Sequence, residues 1–175
     1  MKLNLPKHWD DFLEAVDKAL EEPVCLHCIG GFVVETVYGI PRRTGDLDYC
    51  AVHPRDAAKT LEEIAGQKSE LAKNHSLYFQ YVNIEDCPYD YDDRLTELDL
   101  GLNKLQLFVL DPYDLILSKL TRNLERDRDD VKALAVVQKL SFGVLKKRCQ
   151  EEMDWLPNRA QHDRTLELWE EYFPN

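Results

Sequence analysis

Residues 24–29, Val-Cys-Leu-His-Cys-Ile, make a short and mostly apolar run that starts just after Pro23 and ends in Gly30-Gly31. Apolar and β-branched residues suit a short strand, and a glycine pair lets the backbone turn sharply out of it. The apolar stretch over residues 32–38 then reads as a helix, giving a strand, Gly-Gly, helix unit. Such a unit belongs in a sheet with helices laid against it.

The flanking sequence extends this layout. Trp9, Phe12, Leu13, Val16, Ala19 and Leu20 recur at three- and four-residue spacing within residues 6–22, the stripe of an amphipathic helix opened by Pro6 and closed by Pro23. Residues 39–45 carry turn chemistry with two arginines, and residues 46–52 read as a second strand. A helix follows from Pro54, with Ala57, Ala58, Leu61, Ile64 and Ala65 facing inward; residues 77–82 and 105–110 read as further strands. The acidic, tyrosine-rich residues 85–93 read as a loop. After Asp111, a plausible N-cap, and Pro112, the chain reads as helical over residues 112–125, 128–139, 142–154 and 160–172. The expected fold is therefore α/β (α+β): a small mixed sheet with flanking helices over residues 1–110, then a helical subdomain packed against it over residues 111–175.

Charge narrows the function classes. The 22 Lys and Arg stand against 33 Asp and Glu, a net charge of −11. Broad nucleic-acid coating and membrane-surface binding both need clustered cations, so an extended nucleic-acid surface and a membrane are not expected. A small cationic pocket inside an acidic envelope remains open, with Arg42, Arg43, Lys119, Arg122 and Arg126 as its candidate bases. The five cysteines are scattered, and no apolar run at the start resembles a signal peptide. A cytoplasmic protein with reduced thiols is expected.

The first chemical constellation joins Gly30-Gly31 to Arg43-Thr44-Gly45-Asp46-Leu47-Asp48. Two residues apart on a strand, Asp46 and Asp48 share a face at about 6.6 Å spacing along the chain. Their carboxylates can converge on Mg²⁺, which binds through one or two carboxylates plus substrate phosphates. Gly30 and Gly31 let the backbone and the following helix start approach phosphate, and Arg43 with Thr44 can hold a triphosphate oxygen. A second constellation is Lys119, Arg122 and Arg126, which 100° helical steps place on one stripe, with Leu117, Leu120 and Leu124 on another face.

Residues 24–52 resemble the signature of the nucleotidyltransferase fold, the superfamily that includes DNA polymerase beta, in which Gly-Gly is followed by Asp-x-Asp on the next strand. That resemblance implies transfer of a nucleoside monophosphate from an Mg-NTP to an acceptor, with loss of pyrophosphate. The phrase from Asp111 to Leu120, with Arg126-Asp127 and Asp130-Val131 after it, resembles bacterial nucleotidyltransferases related to AbiEii-type abortive-infection toxins. By this resemblance Lys119 contacts the NTP phosphates and Asp127 is a base toward an RNA or protein acceptor. A toxin–antitoxin or phage-defence role, with an antitoxin protein as partner, is implied in the same way. Many active members carry a third carboxylate on a later strand, for which Asp99 and Glu85 are the candidates.

Simpler readings stand beside these. Asp127 suits an N-cap and Asp130 a first-turn acid, and the three bases suit a solvated helix face. Cys25 and Cys28 face opposite ways on a strand and read as core thiols rather than half a zinc site; His53, His75 and His162 are isolated. Trp155 and Trp169 read as core residues of the terminal helices. Two other functions compete with the enzyme: an inactive nucleotide-binding or protein-interaction module of the same fold, and a glycosyltransferase using Asp-x-Asp, which the short chain disfavours.

Overall fold

Val24–Ile29 forms β1, the central strand of the sheet in a computed structural model that describes residues 1–83 and 87–174. Around it lie β2 (Asp46–His53), β3 (Tyr78–Tyr81), β4 (Thr96–Glu97) and β5 (Leu105–Val109). The helices are α1 (Lys7–Ala19), α2 (Gly30–Thr36), α3 (Ala57–Ala65), α4 (Glu70–His75), α5 (Pro112–Leu117), α6 (Glu125–Val137), α7 (Phe142–Glu152) and α8 (Arg159–Trp169). The architecture is mixed α/β with a helical C-terminal part, and it divides into two units: residues 1–83 with 95–110, and residues 84–94 with 111–175.

In the first unit the sheet order is β3-β2-β1-β5-β4, with β1 antiparallel to β2 and parallel to β5, and β2 parallel to β3. Burial alternates along the strands, so Leu26, Cys28, Leu47, Tyr49, Phe79, Leu105 and Leu107 point into the core while Asp46 and Asp48 lie half-buried on the opposite face. One irregularity keeps this phasing. Cys28 pairs with Tyr49 and His27 with Ala51, leaving Cys50 as an extra residue in β2. The bulge brings Val52 inward and leaves the two aspartates on one face.

Helix α1 supplies the covering layer. Trp9 packs edge-on to Phe32 with ring centroids 4.7 Å apart, and Phe12 to Phe79 at 5.4 Å, all four fully or almost fully buried. Each such side chain contributes about 1.5–3 kcal/mol through burial. The same helix pins the start of β5 through Asp17, whose carboxylate accepts the backbone N–H groups of Lys104 at 2.7 Å, Leu105 at 2.8 Å and Asn103 at 3.0 Å. Burial works to raise the Asp17 pKa, but these donors, Leu105 first, outweigh it and hold the carboxyl below its ordinary value of 3.8. Its contribution is thus full above pH 3.8 and lost as pH falls through the lower native value. Asp17→Asn is expected to cost about 2 kcal/mol at neutral pH by urea titration, a difference that shrinks in acid.

In the second unit Asp111 caps α5 as expected, accepting from the N–H of Tyr113 at 2.9 Å, with Pro112 as the first helical residue. The helix expected over residues 112–125 ends early, at Leu117. Lys119 and Leu120 close tighter bonds to Ile116 and Leu117, and Asn123 adopts a positive φ of 41°. Lys119, Arg122 and Arg126 therefore do not share one helical stripe: two lie in the connecting turn and Arg126 opens α6. Leu124, expected on an apolar face, is 47% exposed. Trp169 is buried as expected, donating to Asn123 Oδ1 at 3.3 Å, whereas Trp155 is 37% exposed beside Tyr89. The acidic segment ends in a 3₁₀ turn over Tyr91–Arg94, and Arg94 clamps the fully buried Asp114 and also Glu152.

Candidate active site

In the first unit the β1 turn and the β2 carboxylates meet. Gly30 has a φ of +74°, a conformation L side chains rarely adopt, and a Cβ there would lie 2.9 Å from Cγ of Asp48 and overlap its Oδ2. Glycine is thus required twice over: by backbone twist and by the carboxylate lying against it. At Gly31 a Cβ would press on Thr44 Oγ1 at 3.0 Å and Arg42 Nε at 3.1 Å. The Thr44 hydroxyl in turn donates to the Asp46 carboxylate. Gly30, Gly31, Thr44, Asp46 and Asp48 therefore form one cluster around the end of β1, Gly31 buried and the others half-buried.

Arg42, not Arg43, is the guanidinium at this cluster; Arg43 is exposed. The signal was available in the spacing, since in extended chain residues two apart point the same way, and Arg42, Thr44 and Asp46 follow that rule. Tyr78 and Gln80 were also missed. They stand in register with Asp46 and Asp48 on β3. Burial, then the fields of Asp46 and Asp48, push the Tyr78 phenol above its ordinary pKa, so it stays neutral.

Among the described residues no group of three His, Cys, Asp or Glu side chains gathers to hold a metal. Asp99 is exposed and bridges to Lys2 past β4, so β1 and β5 stand between its edge of the sheet and β2; it does not complete the aspartate pair. Glu85 lies outside the described residues. Two carboxylates on one face still fit Mg²⁺, which completes its shell with water and substrate phosphate, whereas the space beside the glycines is taken by Asp48, Thr44 and Arg42.

The second unit holds its own charged cluster. Lys119 is almost fully buried, with Nζ 2.9 Å from Asp130 and 3.8 Å from Asp127. Asp127 is fully buried and accepts from Arg122 Nε at 2.8 Å and from the Leu124 N–H at 3.0 Å. Burial alone would raise its pKa; Arg122, the Leu124 amide and Lys119 reverse this and hold it below the ordinary carboxylate value. A general base needs exposure and a pKa near the working pH. Asp127 has neither, and it is the third helical residue of α6 rather than the N-cap. Arg122 and Arg126 are exposed, Arg122 already bonded to Asp127.

The thiols are quiet. Burial pushes Cys28 well above its ordinary pKa and raises Cys149, and among the described residues no disulfide forms. No described helix is long and apolar enough to cross a membrane.

No curated protein and no solved structure matches the chain. Over residues 7–175 the sequence matches the family described as Nucleotidyltransferase of unknown function (DUF6036), and the chain belongs to that family.

Proposed function

We propose that this protein transfers a nucleoside monophosphate from an Mg-bound NTP to a hydroxyl of an RNA or protein acceptor. The observation that carries the reading is the Asp46–Asp48 pair on one sheet face, with Asp48 laid against Gly30 and Asp46 held by Thr44. Bound there, Mg²⁺ would supply charge neutralisation and in-line alignment of the triphosphate. Asp46 and Asp48 would hold it, Thr44 fixes the Asp46 rotamer, and Gly30 and Gly31, lacking side chains, let Asp48, Thr44 and Arg42 close in around the turn. Arg42, whose guanidinium lies beside the Gly31 turn, offsets charge on the departing pyrophosphate together with the exposed Arg43. The acceptor oxygen attacks the α-phosphorus, the bond to the bridging oxygen breaks, and pyrophosphate departs with that electron pair while the hydroxyl proton goes to water.

The resemblance to AbiEii-type toxins supports a finer reading: a cytoplasmic toxin-antitoxin or phage-defence component restrained by an antitoxin protein. In that reading Lys119, Arg122 and Asp127 contribute through the frame of the helical unit rather than as free phosphate ligands and base, and Arg126 is an exposed base at the start of α6. A second reading, an inactive nucleotide-binding or interaction module, draws on the lack of a third carboxylate among the described residues.

Incubating the chain with each α-labelled NTP, Mg²⁺ and total RNA or protein is expected to label an acceptor, and Asp46→Asn/Asp48→Asn should reduce labelling by at least a thousandfold, about 4 kcal/mol of transition-state stabilisation. Labelling that survives the double substitution would sink the site. Nucleotide binding without any transfer would favour the inactive module.

A further inference from the structure

The carboxylate pair has two different walls. On the β1 side stand Gly30, Gly31, Thr44 and Arg42. The sheet order β3-β2-β1 places β3 on the other side, where Tyr78 is in register with Asp46 and Gln80 with Asp48. In-register residues on neighbouring strands project to the same face about 4.8 Å apart. The aspartates thus lie between the glycine turn, with Arg42 beside it, and a ring with an amide.

Core packing does not demand those two side chains. Phe79, between them, is the residue of β3 that turns inward and meets Phe12 at 5.4 Å. Tyr78 is only half-buried and Gln80 is exposed. Backbone bonds from Tyr78 N–H to Gly45, the residue before β2, at 3.1 Å and from Val82 N–H to Tyr49 at 2.9 Å tie both ends of the strand alongside β2, fixing the wall in place.

Resting on the reading of the site as a nucleotide site, we propose that Tyr78 and Gln80 hold the base and sugar of the NTP, opposite the glycine turn, on whose side Arg42 meets its phosphates. An aromatic face stacks on any base, and an amide offers both a donor and an acceptor to ribose hydroxyls or a base edge. The ligand class is therefore a whole nucleotide, recognised at both ends, rather than any polyphosphate.

Calorimetric titration with Mg²⁺ and two probes, the four NTPs and inorganic tripolyphosphate, tests this. Tyr78→Ala should weaken the NTPs roughly tenfold, from the value of one base stack, and leave tripolyphosphate binding unchanged. Tyr78→Phe, which keeps the ring, should bind like the native chain, and Gln80→Ala should weaken NTPs alone by a few-fold. Circular dichroism would establish that each variant is folded. Equal weakening of NTPs and tripolyphosphate by Tyr78→Ala, or no weakening of either, overturns the assignment. If the native chain binds tripolyphosphate no better than Asp46→Asn/Asp48→Asn does, the nucleotide site itself is wrong and the assignment falls with it.

Discussion

Lys119→Met is expected to lower the unfolding free energy by about 3–5 kcal/mol in the absence of any nucleotide. Its ammonium lies 2.9 Å from Asp130 and 3.8 Å from Asp127, with 4% of the side chain exposed. Deleting the cation leaves Asp127 with Arg122 but removes from buried Asp130 its close lysine partner. A buried carboxylate stripped of a partner keeps its desolvation penalty and loses the compensation. Changing both members, Lys119→Met/Asp130→Leu, should recover part of the loss, because an apolar pair carries no such penalty. Urea denaturation at neutral pH measures both. If Lys119 served only to meet phosphates, the single change would leave the ligand-free stability as it was.

The second large effect is expected at Gly30. Gly30→Ala places a Cβ in a backbone with φ of +74° and inside the Asp48 carboxylate. The left-handed conformation costs an L residue roughly 1–2 kcal/mol, and the overlap forces Asp48 to move. The expected outcome is a stability loss of about 2–3 kcal/mol, strain and crowding together, with loss of metal-dependent transfer as the carboxylate leaves its position. Gly101 separates the two causes. It has a similar φ of +69° with nothing within 4 Å of a Cβ, so Gly101→Ala should show the strain alone and leave transfer intact.

Gly30 shows where sequence reading succeeds, Lys119 where it fails. The Gly-Gly turn and the Asp46–Asp48 spacing are local: a turn and a strand alternation determine which way each residue points, and both are readable within 25 residues of chain. Strand β1 was legible over its whole span for the same reason. The turn after Leu117 was not, because residues 112–125 carry helical spacing throughout and the reason to stop is distant. Lys119 reaches Asp130, eleven residues on, and a continuous helix would point it elsewhere. Arg94 was missed likewise: it directly follows a segment that reads as an acidic loop, and its partners, buried Asp114 and half-buried Glu152, are far along the chain. Choosing Arg43 over Arg42 was a different failure, one of not applying the two-residue alternation outside a strand.

The central claim is that Asp46 and Asp48 hold a divalent cation together with the nucleotide. Paramagnetic resonance of Mn²⁺ tests it most directly, since the free ion gives a sharp signal that fades on binding. Titrated into a fixed amount of Mn²⁺ and NTP, the native chain should reduce the free-ion signal beyond the level set by the nucleotide alone. Asp46→Asn/Asp48→Asn should return the signal to that level while the protein remains folded. A double variant that binds Mn²⁺ as strongly as the native chain would contradict the account.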